Sequence, residues 1–174
     1  MSATGLQEIP LNEYSNLQQL KSLMLFNNNI KRLGANAFKG AANLQLLELS
    51  SNQIQIIHEN TFQGMNKLYV LNLFKNNLSD ITKDTFKYAN NLSILRLGYN
   101  PLLRLHDYAF ENMTNLRILF LNNCKIQKLP INLFEGSTNL EDLKFNNNHL
   151  AIIPTKLFNS LTKMKKLRLD HNNI

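Results

Sequence analysis

The single cysteine, Cys124, lies in the stretch ILFLNNCKIQKL and is an obvious residue to test for chemistry. A lone thiol can act as a nucleophile, act as a redox sensor, or fill space as a small apolar side chain. A nucleophilic cysteine needs a histidine within hydrogen-bonding reach. His149 and His171 fall at other positions of the repeat described below, one and two repeats away, so no catalytic pair is predicted. One cysteine also excludes an internal disulfide framework and a multi-cysteine zinc site.

Histidines and carboxylates are the other groups with catalytic or metal-binding potential. Asp170 precedes His171, so a loose surface metal site that also uses His149 is geometrically feasible, but no HExxH or HxH spacing occurs. Glu141 and Asp142 are adjacent, and adjacent residues of a strand face opposite ways, so they form no acid–base pair. The sequence contains no phosphate loop, serine elbow or zinc signature. We therefore expect solvated histidines, no metal, no cofactor and no enzymatic activity.

The length and composition describe one domain of ordinary size. The chain has 174 residues, of which 44% are hydrophobic, enough to build a core. No apolar run approaches the roughly 18 residues of a membrane-spanning helix, and the start MSATGLQEIP lacks the features of a signal peptide. Either the protein is intracellular or a leader has been removed. The net charge of +7 favours acidic partners, although charge alone says little about fold.

A motif that recurs every 24 residues organises the whole chain. Counted from the first leucine, position 1 is Leu20, Leu44, Leu68, Leu92, Leu116, Leu140 and Met164. Position 4 is leucine throughout, position 6 is leucine or phenylalanine, and positions 11 and 14 are leucine or isoleucine. Position 19 is Phe38, Phe62, Phe86, Phe110, Phe134 and Phe158.

These aligned columns, free of insertions and deletions, predict a single repeat domain over residues 1–174. It comprises a partial repeat at 1–19, full repeats beginning at residues 20, 44, 68, 92, 116 and 140, and a truncated repeat at 164–174. The residues that fit the partial repeat are Leu6, Ile9, Tyr14 and Leu17. Repeat proteins need terminal caps, and this sequence has no cysteine-rich cap at either end. We therefore expect the chain to be a segment of a longer protein.

The consensus LxxLxLxxNxIxxIxxxxFxxLxx resembles the leucine-rich repeat family, in its typical extracellular form of 24 residues. The resemblance spans essentially the whole chain. It implies an α/β solenoid: a curved right-handed superhelix with a parallel β-sheet on the concave face and loops or short helical turns on the convex face. The LxL alternation agrees, because positions 4 and 6 would share one face of a strand and positions 3, 5 and 7 the other. The phenylalanines of position 19 would stack as a spine on the far side of the core.

Position 9 of the repeat is asparagine except where Cys124 stands. In the leucine-rich repeat fold this side chain turns inward and bonds to backbone groups of its own and adjacent loops, so the resemblance implies a structural role for Cys124. Two residues after the phenylalanine of position 19, a turn with a positive φ is expected. The residues at this place are Gly40, Gly64, Asn112 and Gly136. The four prolines fall outside the strands, where a missing N–H is expected to do no damage.

The outward positions of the strands form the predicted binding surface, because this architecture generally binds with its concave face. Position 3 is apolar in four consecutive repeats, aromatic residues flank that strip, and the last two repeats are basic. Phe120 lies between Arg96 and Lys144 in its column, so cation–π contacts are expected. The predicted partner-binding residues are Phe26, Leu46, Val70, Phe74, Ile94, Arg96, Tyr99, Ile118, Phe120, Lys144, Lys166 and Arg168.

Several interpretations of this surface are open at this point. The β-branched residues of position 3 could serve strand propensity alone. A contiguous apolar patch favours instead an interface with another protein or with a second copy of the chain. The basic C-terminal end could also engage glycans or lipid head groups. Nucleic acid is disfavoured, because the other basic residues scatter over all faces and no aromatic stacking platform accompanies them.

The uninterrupted repeats, the phenylalanine column and the loop INLFEGSTNL are similar to Toll and Toll-like receptor ectodomains and to secreted insect leucine-rich-repeat immune proteins. That resemblance implies a non-catalytic, ligand- or co-receptor-binding segment of an extracellular immune or signalling receptor. Adhesion, guidance and matrix proteins share the repeat, so a structural or adhesive scaffold that self-associates through its concave face is the alternative. Three sequons, at Asn77, Asn91 and Asn112, fall in expected exposed turns and fit an extracellular glycoprotein.

Overall fold

The computed structural model describes residues 5–9 and 16–174. Within them the LxL segment of each repeat forms a three-residue strand, and the first four full repeats add a two-residue strand farther along. The strands are β1 Ser22–Met24, β2 Arg32–Leu33, β3 Leu46–Glu48, β4 Ile56–Ile57, β5 Val70–Asn72, β6 Asp80–Ile81, β7 Ile94–Arg96, β8 Arg104–Leu105, β9 Ile118–Phe120, β10 Asp142–Lys144 and β11 Lys166–Arg168.

The three-residue strands form one parallel sheet in the order β1-β3-β5-β7-β9-β10-β11. The register pairs each residue with the same position of the next repeat, so that Leu47 lies beside Leu71 and Leu71 beside Leu95. A lone strand cannot bury its leucines, whereas stacked repeats bury them in a continuous column. The predicted solenoid of parallel strands is confirmed.

The sheet has a core side and a solvent side, as the LxL alternation predicts. Leu95 and Leu97 are fully buried, whereas Ile94 and Arg96, which point the other way, are only half-buried. We call the solvent side, formed by positions 3 and 5 of the strands, the outer sheet face. Its position-3 residues are Ser22, Leu46, Val70, Ile94, Ile118, Asp142 and Lys166. Its position-5 residues are Met24, Glu48, Asn72, Arg96, Phe120, Lys144 and Arg168.

The phenylalanines of position 19 close the core on the side away from the sheet. The rings of Phe62 and Phe86 lie 6.1 Å apart between centroids, and those of Phe86 and Phe110 lie 6.4 Å apart with planes at 14°. Phe134 continues the series at 6.0 Å from Phe110 and 6.4 Å from Phe158. Because the rings stack at one per repeat, they form the predicted spine.

The connections on that side are turns, and the expected short helical turns are not found among the described residues. In the first full repeat, Ala37 donates to the Gly34 carbonyl at 3.3 Å and Lys39 donates to that of Asn36 at 2.9 Å. These are single three-residue bonds. A helix cannot propagate through them, because Asn36 and Gly40 have φ values of 55° and 92°. No helix in the described part of the chain has the length and apolar character needed to cross a bilayer.

The prediction for the positive-φ slot is confirmed: Gly40, Gly64, Asn112 and Gly136 have φ values of 92°, 83°, 53° and 76°. Pro101, Pro130 and Pro154 lie outside the strands, as predicted, and Pro10 is not among the described residues. The N–H of His58 and of His106, at position 15, donates to the preceding repeat at 2.9 and 3.0 Å. Pro130 and Pro154 occupy the same position and have no N–H, and the structure describes no two-residue strand in their repeats.

The N-terminal partial repeat is described only in part. Ile9 is buried, and Leu6 packs against the core and donates its N–H to Asn28 Oδ1 at 3.2 Å. Leu17 is exposed. Two residues singled out in the sequence, Pro10 and Tyr14, lie outside the described residues.

Candidate binding face

A ladder of asparagine side chains at position 9 holds the loops that follow the strands. The Nδ2 of Asn52 donates to the carbonyl oxygens of Leu25 at 2.9 Å and Leu49 at 3.0 Å. Its Oδ1 accepts the N–H of Ile30 at 3.1 Å, so one amide joins the backbones of two repeats. The same pattern recurs at Asn76, Asn100, Asn148 and Asn172. The predicted inward ladder is confirmed.

Cys124 takes the ladder position in the fifth full repeat, where it is 6% exposed and its Sγ lies 3.6 Å from the carbonyl oxygens of Leu97 and Asn122. Sulfur supplies no amide oxygen. The Leu102 N–H, which an asparagine would accept, bonds instead to the Asn100 carbonyl at 2.8 Å. Burial raises the pKa of the Cys124 thiol to about 11, so the thiol is protonated at neutral pH and is a poor nucleophile. The structural interpretation of this residue is confirmed.

The aspartate and histidine near the C-terminal end form surface ion pairs. Asp170 accepts from the Arg168 Nε at 2.9 Å and from a second guanidinium nitrogen at 2.8 Å, and His171 Nδ1 lies 3.0 Å from its Oδ2. These hydrogen bonds, that from Arg168 first, hold the pKa of Asp170 well below its usual range. Over residues 5–9 and 16–174, no three His, Cys, Asp or Glu side chains form a group that could hold a metal ion.

Four aliphatic side chains form a continuous strip across the outer sheet face. In register order they are Leu46, Val70, Ile94 and Ile118. All four are half-buried, because their neighbours in the strip cover their flanks and leave their outer surfaces in solvent. The strip ends where Asp142 lies beside Ile118. The structure therefore brings together the apolar residues that the sequence placed on one surface.

Aromatic rings flank the strip just beyond the strands. Phe74 and Tyr99, from adjacent repeats, pack with ring centroids 4.9 Å apart and planes at 57°. Tyr99 is 50% exposed. Gly98, the residue before Tyr99, leaves no room for a side chain, because a Cβ there would lie only 2.8 Å from the Asn122 Oδ1. The partly exposed pair of Phe74 and Tyr99 is a suitable anchor for an apolar side chain of a partner.

The backbone at position 8 is left-handed in every strand-bearing repeat, a feature that the sequence analysis missed. The φ values lie between 53° and 58° at Asn27, Ser51, Lys75, Tyr99, Asn123, Asn147 and His171. Asparagine tolerates this conformation, which explains the NN runs. For lysine and tyrosine the conformation is unfavourable by roughly 1–2 kcal/mol. Lys75 and Tyr99 are therefore held on this surface at a cost in stability. Strained backbone of this kind is often associated with function.

The predicted cation–π contact of Phe120 is confirmed for Lys144, whose Nζ lies 3.8 Å from the ring centroid. Arg96, the neighbour on the other side, makes no such contact within the described chain. Phe120 thus joins the aliphatic strip to the basic end of the outer sheet face.

Two position-5 residues of the second and third full repeats satisfy each other. Asn72 Nδ2 donates to Glu48 Oε2 at 2.7 Å, and Glu48 Oε1 accepts the N–H of Ser50 at 2.8 Å. Asn72 Oδ1 accepts the Phe74 N–H at 3.0 Å. Because these polar atoms already have partners, this end of the outer sheet face offers mainly apolar surface.

The basic end is different, because some of its polar atoms have no partners. Lys166 lies beside Asp142 in register but forms no ion pair with it. The Oδ1 atoms of Asp142 and Asn146 are both buried without a hydrogen bond. Asn146 has no distinguishing signal in the sequence, where it is one asparagine of an NNN run.

The three sequon asparagines are exposed. The Asn91 Nδ2 donates to the Asn66 carbonyl oxygen, and its Oδ1 accepts from Asn115 Nδ2 at 3.2 Å. Within the described chain, the side chains of Asn77 and Asn112 form no such hydrogen bond. Glycosylation at Asn77, Asn91 and Asn112 stays a prediction.

Comparison with known proteins gives concordant findings. The pattern of the leucine rich repeat family matches residues 18–78, 66–126 and 114–174. A leucine-rich-repeat protein of Leptospira interrogans, LIC12759, superposes with a TM-score of 0.84 at 30% identity, over 98% of this chain and 42% of that one. TLR13, solved in complex with ssRNA13, superposes with a TM-score of 0.73 at 27% identity, over 94% of this chain and 27% of that one.

The chain thus spans less than half the length of either of these structures. Among curated proteins no relative matches it.

Proposed function

The chain belongs to the leucine-rich repeat family, and from that premise we propose that it is a non-catalytic module that binds another protein through the outer sheet face. Leucine-rich repeats are typically interaction modules, and proteins built from stacked repeats bind on their extended concave surface. We place the outer sheet face on that concave side. The finer identity of the partner, a ligand or a co-receptor, is part of the proposal.

The observation that carries this proposal is the continuity of the apolar strip with its aromatic anchors. Neighbouring strands of a sheet lie about 4.8 Å apart, so the four aliphatic side chains form one surface. The ring pair of Phe74 and Tyr99 lies beside it, and the Phe120 ring with Lys144 ends it. Aromatic residues next to a desolvated apolar centre are the usual hot spots of protein interfaces.

We further propose an extracellular location and a role in immune or signalling recognition. The regular 24-residue repeat, the loop INLFEGSTNL and the three exposed sequons support this proposal. The likeness to TLR13 supports it as well, at 27% identity. A scaffold that pairs with a second copy of itself is disfavoured, because an isologous contact of the basic end would bring the cations Lys144, Lys166 and Arg168 together with their copies.

Selection of binders tests the proposal. The folded chain is panned against a displayed library of random 12-residue peptides, and the affinity of enriched peptides is measured for the wild type and for Phe120→Glu. Glutamate is acceptable at this position, because Glu48 occupies it in the second full repeat. The matched control is Ile152→Glu, which alters a side chain that is 73% exposed on another side of the solenoid.

We expect the Phe120→Glu variant to bind enriched peptides at least tenfold more weakly and the Ile152→Glu variant to bind them like the wild type. Circular dichroism must show the same melting temperature for the two variants. Peptides that bind Phe120→Glu with wild-type affinity would overturn the proposal. Sedimentation of the wild type tests the scaffold alternative. That alternative requires dimers that form with increasing concentration in the wild type and do not form in Phe120→Glu.

A further inference from the structure

Two buried acceptor oxygens in the sixth full repeat have no hydrogen-bond donor: Asp142 Oδ1 and Asn146 Oδ1. Asn146 is 6% exposed. Alternation along the chain, in which Leu143 and Phe145 are buried in the core, puts Asn146 on the same side as Asp142, two residues beyond the end of β10. An acceptor that is buried without a donor destabilises the free chain. An N–H donor supplied by a ligand would remove that cost once the side chains that cover these oxygens move aside.

Two cations on the same strands form no ion pair within the described chain. The Lys144 Nζ lies over the Phe120 ring, and Lys166 is exposed beside Asp142 in register. Arg168 differs, because it is bonded through two nitrogens to Asp170. The same small surface thus combines acceptors that lack donors with ammonium groups that form no ion pair.

We infer that the outer sheet face at β9, β10 and β11 binds an acidic polypeptide segment, whose carboxylates meet Lys144 and Lys166 and whose N–H groups meet the Oδ1 atoms of Asp142 and Asn146. The inference rests on the proposed function and specifies the chemistry of the partner. A polypeptide suits the surface because its backbone supplies N–H donors at regular intervals between its acidic side chains.

The position of the apolar strip gives the segment an order. Ile94 and Lys166 belong to the same row and are three strands apart in the sheet. Three spacings of about 4.8 Å correspond to about 14 Å, which is about four residues of an extended chain. A segment crossing the strands would therefore carry its apolar residues about four residues away from its carboxylates.

Two other occupants fit less well. Nucleic acid would bring phosphate oxygens, which are acceptors, against the unpartnered oxygens of Asp142 and Asn146. On the outer sheet face of β9, β10 and β11 the one ring is that of Phe120, which Lys144 already covers, so successive bases would find no stacking platform there. A second copy of this chain carries a net charge of +7, so its approach to this basic end is electrostatically unfavourable.

The test uses peptides selected on the wild-type chain, labelled and titrated by fluorescence anisotropy. We expect enriched sequences to carry two or more Asp or Glu residues about four residues from an apolar one. Lys166→Glu should weaken their binding at least tenfold, and so should conversion of the peptide carboxylates to amides. Lys128→Glu, which makes the same change in net charge at an exposed lysine away from the outer sheet face, should leave the affinity within twofold.

A second variant separates recognition from folding. Asp142→Val restores the aliphatic character of its row and removes an unpartnered acceptor, so we expect a higher melting temperature together with weaker peptide binding. Asn146→Ser, with the serine that position 7 holds at Ser50, is the variant to use if the valine disturbs the fold. A merely structural role for these oxygens predicts a change in melting temperature with unchanged affinity, and that result would overturn the inference.

Two further results would also overturn it. One is tighter binding of a 13-nucleotide oligouridine than of the selected peptides, with mutual competition. The other is enrichment of peptides that lack acidic residues and that bind the Phe120→Glu variant more weakly than the wild type. In that second case the proposed function stands and only the acidic chemistry of the partner fails. The proposed function itself fails if the enriched peptides bind Phe120→Glu as tightly as the wild type.

Discussion

The rings of Phe74 and Tyr99 lie 4.9 Å apart between centroids, although the two residues belong to different repeats and to different positions of the repeat. Position 7 of one repeat thus meets position 8 of the next, where Tyr99 has a left-handed backbone with a φ of 58°. The contact sets the shape of the outer sheet face at its aromatic edge.

Replacement of Lys75 by asparagine should stabilise the protein. Lys75 has a φ of 54° and is exposed, so the change relieves an unfavourable conformation without loss of packing. We expect a gain of about 1 kcal/mol in the free energy of unfolding, measured in urea. Lys39→Asn, at an exposed site with an ordinary φ, is the control and should change stability by less than half as much. Equal effects in both variants would contradict the account of strain.

The cysteine in the asparagine ladder gives a reciprocal pair of variants. Cys124→Asn should supply the missing Oδ1 to the Leu102 N–H and stabilise the chain by about 1 kcal/mol, because a buried hydrogen bond is completed. Asn100→Cys should remove the acceptor of the Leu78 N–H, now at 3.0 Å, and destabilise by about 1–3 kcal/mol. Hydrogen exchange at the Leu102 and Leu78 amides reports each bond directly. No change in exchange at Leu102 would show that its bond to Asn100 is already sufficient.

The buried thiol should react slowly with iodoacetamide. Burial raises the pKa of Cys124 from 9.0 to about 11, so at pH 7.5 the native chain should be labelled about 100-fold more slowly than the chain in urea. Comparable rates in the two states would contradict this expectation.

The same shift predicts a pH dependence of stability. Between pH 9.0 and about 11 the unfolded thiol loses its proton while the native thiol keeps it, so the native state is progressively disfavoured. The contribution is fully present below pH 9 and is lost as the pH rises toward 11. The variant Cys124→Ala lacks this thiol and serves as the reference. The free energy of unfolding of the wild type, relative to that of Cys124→Ala, should decrease as the pH rises from 9.0 to about 11. A constant difference would show that the thiol does not titrate as described.

Truncation of the aromatic spine should be costly. Phe86→Ala removes a buried ring stacked between Phe62 and Phe110, and we expect a loss of about 3–5 kcal/mol from lost burial and the cavity left behind. Tyr88→Ala, two residues later at an exposed ring, should cost less than about 1 kcal/mol. Urea denaturation of the two variants measures both values. Similar losses would mean that the spine contributes no more than surface packing.

Most of the fold could be predicted because a constant period leaves little freedom. Once Leu47, Leu71 and Leu95 stand 24 residues apart and must all be buried, parallel stacking in register follows. The phenylalanine spine, the asparagine ladder and the positive φ at Gly40 follow the same periodicity or the family resemblance. Hydrophobic columns and repeated turn residues are local in sequence, and therefore readable.

The failures are equally specific. The expected helical turns are absent from the described chain because left-handed residues such as Asn36 and Gly40 interrupt them. The sequence also did not predict that the N–H of His58 and of His106 bonds to the preceding repeat, at the position where Pro130 and Pro154 have no N–H. That bond could not be predicted from one repeat, because it depends on the neighbouring loop.

The repeat, the strand faces and the residues of the outer sheet face follow from the order of residues alone, because side-chain direction alternates along a strand and stacking places each position beside its copy in the next repeat. How those side chains meet depends on the folded chain: Phe74 contacts Tyr99, Lys144 covers Phe120, and Asn72 donates to Glu48. The folded chain also leaves the oxygens of Asp142 and Asn146 without donors. Such contacts depend on distances and angles between repeats, and spacing along the chain does not contain them.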